Sequence, residues 1–220
     1  MVRTVGSCLL VLCAIGTGTA QEKVIAKSFV SPVQGKAWKP DTYLFGRAYS
    51  YPTEKKGVLK EWGVHLGEDM TLDPGTPVCA VADGKVAYIG MHPGKSKDVR
   101  NWGGVVVLGH WLSDKTAVYT LCGHLELNPK LSRGDQVKQG DELGKVAPKE
   151  SAANGWWEIP HAHVQINLDP ADKFRPKNMP GRGYAGGEAP FRLIDHIALS
   201  EVLAAKDPIR LMIAEEKKRR

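Results

Sequence analysis

The sequence predicts an all-β protein built on mostly antiparallel sheet, with a short helical extension at its C-terminus. Two observations carry this reading. From about residue 58 to 168 short β-type runs recur ("PVCAVA", "KVAYIG", "GVVVLGH", "TAVYTLCGHL", "ELGKV"), and turn clusters such as "LDPGT", "ADGK", "LSDKT" and "KQGD" separate them. Many short strands at close spacing are the mark of an antiparallel architecture. The second observation is "HAHVQINL" at 161–168. Ala162, Val164, Ile166 and Leu168 are apolar, while His161, His163, Gln165 and Asn167 are polar. That period-2 alternation predicts a strand with one buried and one wet face.

Taken in order, residues 1–20 stand apart. Arg3 is their only charge, "VGSCLLVLCAIG" is apolar, and small residues precede Gln21. This pattern reads as a secretory signal peptide removed after Ala20, which implies an exported protein of the periplasm, envelope or extracellular space. The rivals are a membrane anchor, for which the run is short, and lipid attachment at Cys8 or Cys13. Residues 21–31 are a lead-in. Through residue 57 the chain carries Pro32, Gly35, Pro40, Gly46, Pro52 and Gly57 and reads as loops and short strands. The main domain is set at 32–168. Residues 169–220 form a Gly/Pro-rich loop, "RPKNMPGRGYAGGEAP", followed by a helix near 193–205. Pro208 is expected to interrupt that helix, with a second short helix after it. The terminal "EEKKRR" reads as a solvated tail.

The formal net charge is +6 over 220 residues. A mildly basic exported protein suits a polyanionic surface such as a cell envelope, or simply stays soluble. With the signal removed, Cys79 and Cys122 are the remaining cysteines. An oxidising compartment permits a bond between them but does not require one.

Four of the seven histidines fall in arrangements that chemistry would explain. His161 and His163 project from one strand face at i, i+2. His65 precedes Asp69 by four residues in "GVHLGEDM", so on a strand His65, Gly67 and Asp69 share a face and Glu68 points away. His124 ends "VYTLCGH". Catalytic zinc takes three protein ligands and leaves a position open. A His and an Asp from one strand with a His from another would supply that shell, and the neighbouring histidine would be left to handle protons. A lone histidine is more often a packed or surface residue than a ligand; four on polar strand faces are harder to explain that way. His92, His110 and His196 fall in no motif and read as structural or surface residues. Trp156 and Trp157 precede the last strand, where loop packing is preferred over a role in walling a substrate groove.

Here the sequence resembles a family, the lysostaphin-like, LytM-type zinc metallo-endopeptidases that cut peptidoglycan. The family's H-x-G-x-D appears as His65, Gly67 and Asp69, its second motif as His124 and Leu125, and its closing H-x-H as His161 and His163. "FGR" at 45–47, "DPGTPVCAVADGKVAYIG" and "LSRGDQVKQGDELGKV" resemble its flanking segments, so the likeness covers about 32–168. Cys122, Ala162 and Val164 stand where the family usually has Tyr, Leu and Phe. The resemblance implies Zn2+ held by His65, Asp69 and His163, with His161 and His124 beside the reacting water. His161 is favoured as general base and His124 as oxyanion stabiliser, with the reverse order left open. It also implies peptidoglycan as partner, and other cell-wall hydrolases as further partners. The rival functions are a non-catalytic wall binder or amidase activator, a biotinyl- or lipoyl-type carrier, and a structural envelope domain. A carrier would leave the histidine set unexplained.

Overall fold

The computed structural model describes residues 24–52, 59–96, 100–112, 116–168, 181–185 and 194–219. The signal segment and most of the Gly/Pro-rich stretch lie outside the described residues. The strands run β1 (Ala48–Pro52), β2 (Leu59–His65), β3 (Glu68–Thr71), β4 (Pro77–Cys79), β5 (Gly84–His92), β6 (Gly103–Trp111) and β7 (Ala117–Gly123). They continue as β8 (Leu125–Leu127), β9 (Gln136–Val137), β10 (Glu142–Val146), β11 (His161–Asn167), β12 (Tyr184–Ala185) and β13 (His196–Ile197), and two helices follow, α1 (Leu199–Ala204) and α2 (Pro208–Arg219). The all-β expectation holds, and the strand pairings are antiparallel throughout the three sheets.

The largest sheet has the order β13-β11-β7-β6-β5-β9, and β3 also pairs with β11. Its centre is made of near-continuous apolar runs, as a strand covered on both faces requires. Val106 and Leu108 of β6 face one core with Cys122, Ala162, Val164 and Ile166. Val105 and Val107 face the other way, with Leu121 and Trp102. Burying a Val, Leu or Ile fully stabilises by about 1.5–3 kcal/mol, so these two layers fix which way β11 turns its side chains. Ala26 and Phe29 of the lead-in, and Leu199, Val202 and Met212 of the helices, belong to the same main core.

β11 differs from its sequence reading in one respect. Its polar face is not wet: His161, His163, Gln165 and Asn167 are 1%, 2%, 4% and 3% exposed. Aromatic rings cover this face, with Trp102 4.9 Å from His163 and Trp157 6.0 Å from His161, centroid to centroid. Alternation in the sequence marks two chemically different faces, and tertiary cover decides which one is dry.

The C-terminal reading is corrected in two places. The expected helix over 193–205 starts at Leu199, because His196 and Ile197 pair with Asn167 and Ile166 as β13. Pro208 begins α2 instead of only ending a helix, at the position where its missing N–H costs nothing. Asp207 caps this helix through Oδ1 to the Arg210 N–H at 2.9 Å. Glu215 to Arg219 are therefore helical and not a free tail. Glu216 is 2% exposed, and Arg219 contacts Asp195 and Glu216. Cys79 and Cys122 are buried and not bonded to each other, and burial pushes the Cys122 thiol up to about 12.

Candidate metal centre

Strand register builds the site. In β11, His163 lies opposite Asp69 of β3 on one side and Gly123 of β7 on the other. Directly opposed residues of an antiparallel pair share a face with Cβ atoms about 4.5–5.5 Å apart, so pairing alone brings Asp69 to His163. His65 ends β2, where its N–H donates to the Arg47 carbonyl and its own carbonyl accepts from Gly46. The expected single strand through His65, Gly67 and Asp69 is bent at Leu66–Gly67, and the bend still returns His65 to Asp69. Gly67 is required there. A Cβ on it would stand 2.5 Å from His163 Nε2 and 2.7 Å from the Val164 carbonyl oxygen.

Three atoms converge: His163 Nδ1 is 2.7 Å from Asp69 Oδ1 and 3.1 Å from His65 Nε2, and His65 Nε2 is 3.6 Å from Asp69 Oδ1. The three side chains are buried, and Glu68 points away, as its place on the strand predicts. His161 sits beside them. Its Nδ1 donates to the Ile159 carbonyl at 2.7 Å. That leaves Nε2 with the lone pair, buried, without a hydrogen-bond partner, and 3.6 Å from Asp69 Oδ2. His124 stacks at a tilt on His161 with ring centroids 4.3 Å apart. It lies between β7 and β8 with φ +66°, an uncommon conformation for a side chain with a Cβ. Its N–H donates to Trp102 and its carbonyl accepts from Ala147, which hold it in that conformation. All five residues singled out in the sequence are thus in one cluster.

Residues 63–175 match the model for Peptidase family M23. The chain belongs to peptidase family M23. No curated protein matches it. Among solved structures it is similar to a zinc-containing peptidase from Vibrio cholerae, at 22% identity and TM-score 0.46, covering 64% of this chain and 37% of that one. It is also similar to lysostaphin, the antimicrobial peptidase of Staphylococcus simulans, at 26% identity and TM-score 0.37, covering 48% and 38%. A third is a catalytic-domain mutant of the prophage-encoded M23 protein EnpA of Enterococcus faecalis, at 19% identity and TM-score 0.38, covering 68% and 84%. The chain thus spans under two fifths of the length of the first two.

The donor set of this M23 chain fits zinc. Ligands about 2.0–2.1 Å from a tetrahedral zinc lie roughly 3.3–3.4 Å from one another, and the three separations above bracket that value. The electrostatics agree. Burial drives His65 down to about 4 and lowers His161 and His124 as well. Burial pushes the Asp69 carboxyl up, but His65, His163 and His161 outweigh it and hold the group below the usual carboxylate range. A buried carboxylate is costly unless a cation sits with it. Neutral imidazole nitrogens and a carboxylate oxygen are also the ligand forms zinc binds.

The sequence reading missed Trp102 and Tyr184 and placed Trp157 second to loop packing. Trp157 walls the cleft, against the loop-packing preference, with its ring 5.8 Å from His124 and its Nε1 donating to the Asn101 carbonyl. Trp102 lies under His124 and His163. Tyr184 faces His65 at 4.8 Å, because β12 pairs with β2 and sets Tyr184 opposite His65. No periodicity marks these positions, since each reaches the site from a loop or a two-residue strand. Of the histidines outside the motifs, His92 bonds Tyr88, His110 bonds Thr120 and the Asp83 carbonyl, and His196 meets Gln165, the neighbour of His163.

Proposed function

We propose that this chain is an exported zinc metallo-endopeptidase that hydrolyses amide bonds in peptidoglycan stem peptides or their cross-links. The observation that carries the reading is the unpartnered lone pair of His161 Nε2 aimed at the convergent His65–Asp69–His163 donors. When bound there, zinc would polarise the scissile carbonyl and acidify a water. His161 Nε2 takes the proton of the attacking water, and the Ile159 carbonyl fixes the tautomer that makes this nitrogen basic. The water oxygen joins the carbonyl carbon, the C–N bond breaks, and His161 returns the proton to the leaving nitrogen, which gives one carboxylic acid and one amine. His124, held against His161, offers an N–H to the oxyanion of the tetrahedral intermediate. Trp157 and Tyr184 wall a cleft of about 300 Å³ that takes an extended peptide.

The signal-like residues 1–20 and the basic charge support export to an envelope that supplies such peptides. The test is incubation of the mature protein, zinc-loaded, with isolated sacculi. Soluble muropeptides should appear and stop on addition of phenanthroline, and mass spectrometry should show cleaved amides with no new reducing sugar ends. Intact sacculi, with only an added amidase made faster, would replace this reading with the activator.

A further inference from the structure

The loop between β10 and β11 carries a buried amide that the mechanism above leaves unused. Asn154 is 0% exposed. Its Nδ2 donates to the Trp157 carbonyl at 2.9 Å and to the Ile159 carbonyl at 3.1 Å. Carbonyls only accept, so both N–H groups of the amide are committed and its orientation is set. The Ile159 carbonyl is shared, because it also accepts from His161 Nδ1 at 2.7 Å. An oxygen with two lone pairs takes both donors. The Asn154 backbone also meets the ring of the other site histidine, His124. The loop is docked on the start of β6: the Ala153 and Gly155 carbonyls accept from the Gly104 and Asn101 N–H groups at 2.9 and 3.1 Å. A Cβ on Gly103 would stand 1.9 Å from the Ala153 carbonyl oxygen, so this approach needs a glycine. Glu150 and Trp156 take φ of +53° and +68°. Such backbone persists where the surroundings fix it, and it gathers at functional sites.

Backbone pairs of this kind pin the loop as a whole. The Asn154 amide does something they do not, because it holds the acceptor that decides which nitrogen of His161 carries the proton. The Ile159 side chain is 40% exposed and gives that peptide little anchorage of its own. We infer that Asn154 is a positioning residue for the reaction: its amide holds the Ile159 carbonyl on the Nδ1–H of His161, and so keeps the Nε2 lone pair facing the three metal donors. The Asn154 side chain bonds the loop carbonyls and none of His65, Asp69 and His163. This rests on the reading of His161 as the base and names the residue that selects its tautomer.

The test reads the tautomer directly, by long-range proton–nitrogen correlation spectra of zinc-loaded, isotope-labelled protein. In wild type, His161 should show a protonated Nδ1 and an unprotonated Nε2. Asn154→Ala removes both donors. Asn154→Asp keeps the size and turns an acceptor to the two carbonyls, so it reads the same point if alanine loosens the loop. In both variants the His161 nitrogens should move toward a mixture of tautomers while zinc stays stoichiometric. Release of muropeptides from sacculi should fall about 10- to 100-fold, since a small misplacement of a reacting group costs that much. Ser151→Ala is the control for loop pinning: its hydroxyl bonds the Asn154 N–H and the Pro148 carbonyl but not Ile159. It should keep the wild-type tautomer and rate. An unchanged His161 tautomer in Asn154→Ala and Asn154→Asp, or the same shift in Ser151→Ala, overturns the inference. The spectra need no turnover, so the two readings fail separately. A tautomer shift in a protein that leaves sacculi intact removes the peptidase and keeps the Asn154 role, and cleavage with an unmoved tautomer does the reverse.

Discussion

Gln165 Oε1 lies 3.3 Å from His163 Nε2, and Gln165 Nε2 lies 3.0 Å from His196 Nε2. With a metal held at Nδ1 beside Asp69 and His65, Nε2 would carry the N–H and donate to Gln165 Oε1. Gln165 then donates to His196 on the neighbouring strand β13. An outer partner of this kind fixes the orientation and tautomer of a ligating imidazole, and its loss costs about 10- to 100-fold in metal affinity. Gln165→Ala should weaken zinc by that factor in a competitive chelator titration, and Gln165→Glu, which still accepts from His163, should recover much of it. Unchanged affinity in the alanine variant would remove Gln165 from this role.

The cluster divides into groups that should fail differently. Alanine at His65, Asp69 or His163 removes a donor from the three-atom set and should abolish stoichiometric zinc and activity together. Alanine at His161 or His124 should leave most of the zinc and lower turnover by about a hundredfold or more. Elemental analysis beside kinetics separates the groups. Full zinc in Asp69→Ala, or lost zinc in His161→Ala, would redraw the ligand set.

Gly67 is constrained by space, not by a turn. Its hypothetical Cβ overlaps the His163 ring nitrogen that bonds Gln165. Gly67→Ala should therefore displace the imidazole and lose zinc affinity by at least the Gln165→Ala factor, with a smaller change in unfolding midpoint. Zinc titration and thermal unfolding of one sample check this, and wild-type affinity in Gly67→Ala would contradict the geometry.

The parts of this protein legible in sequence are those set by period-2 patterning. Ala162, Val164 and Ile166 sit in the main core as alternation requires, and the same alternation brings His161 and His163 to one face. The dryness of that face was not legible, because one covering ring, Trp102, arrives from far along the chain and the other, Trp157, from the preceding loop, whose fold no local pattern fixes. The helix boundary failed for a related reason. The apolar spacing through Ile197 suits a helix turn, but pairing with Ile166 claims that residue for β13. Asp69 opposite His163 is a fact of register between β3 and β11, which a motif can imply but local pattern cannot.

His110 makes acid sensitivity testable away from the metal. It is fully buried in the core of the sheet, bonded to the Asp83 carbonyl and Thr120, and burial drives its pKa down to about 4. An unfolded chain returns it to about 6.5. The neutral form therefore stabilises the fold above about pH 6.5, and that contribution is lost as pH falls toward 4, by on the order of 3 kcal/mol. Denaturant unfolding between pH 7 and 4 should show His110→Gln less pH-dependent than wild type over this window. Parallel curves would show that His110 does not carry the effect.

The last prediction concerns the strand that presents Asp69. Its preceding residue, Glu68, turns to the opposite side and is 4% exposed. Glu68 Oε2 accepts from Trp38 Nε1 at 3.0 Å and from the Ser200 N–H at 2.9 Å, and Oε1 accepts from the Ser200 hydroxyl. One carboxylate thus joins β3, the N-terminal segment and the start of α1, whose N-cap Ala198 has no side-chain cap of its own. Glu68→Ala leaves the indole N–H and the helix N–H without this acceptor, and each orphaned buried donor costs about 1–3 kcal/mol. The expected loss is about 2–5 kcal/mol in urea unfolding. Glu68→Gln should lose much less, since its amide oxygen still accepts both N–H groups and its NH2 still meets the Ser200 hydroxyl. Stoichiometric zinc should survive in the folded fraction of both variants, because Glu68 touches none of the three donors. Wild-type stability in Glu68→Ala would mean that the buried carboxylate does not hold these segments together.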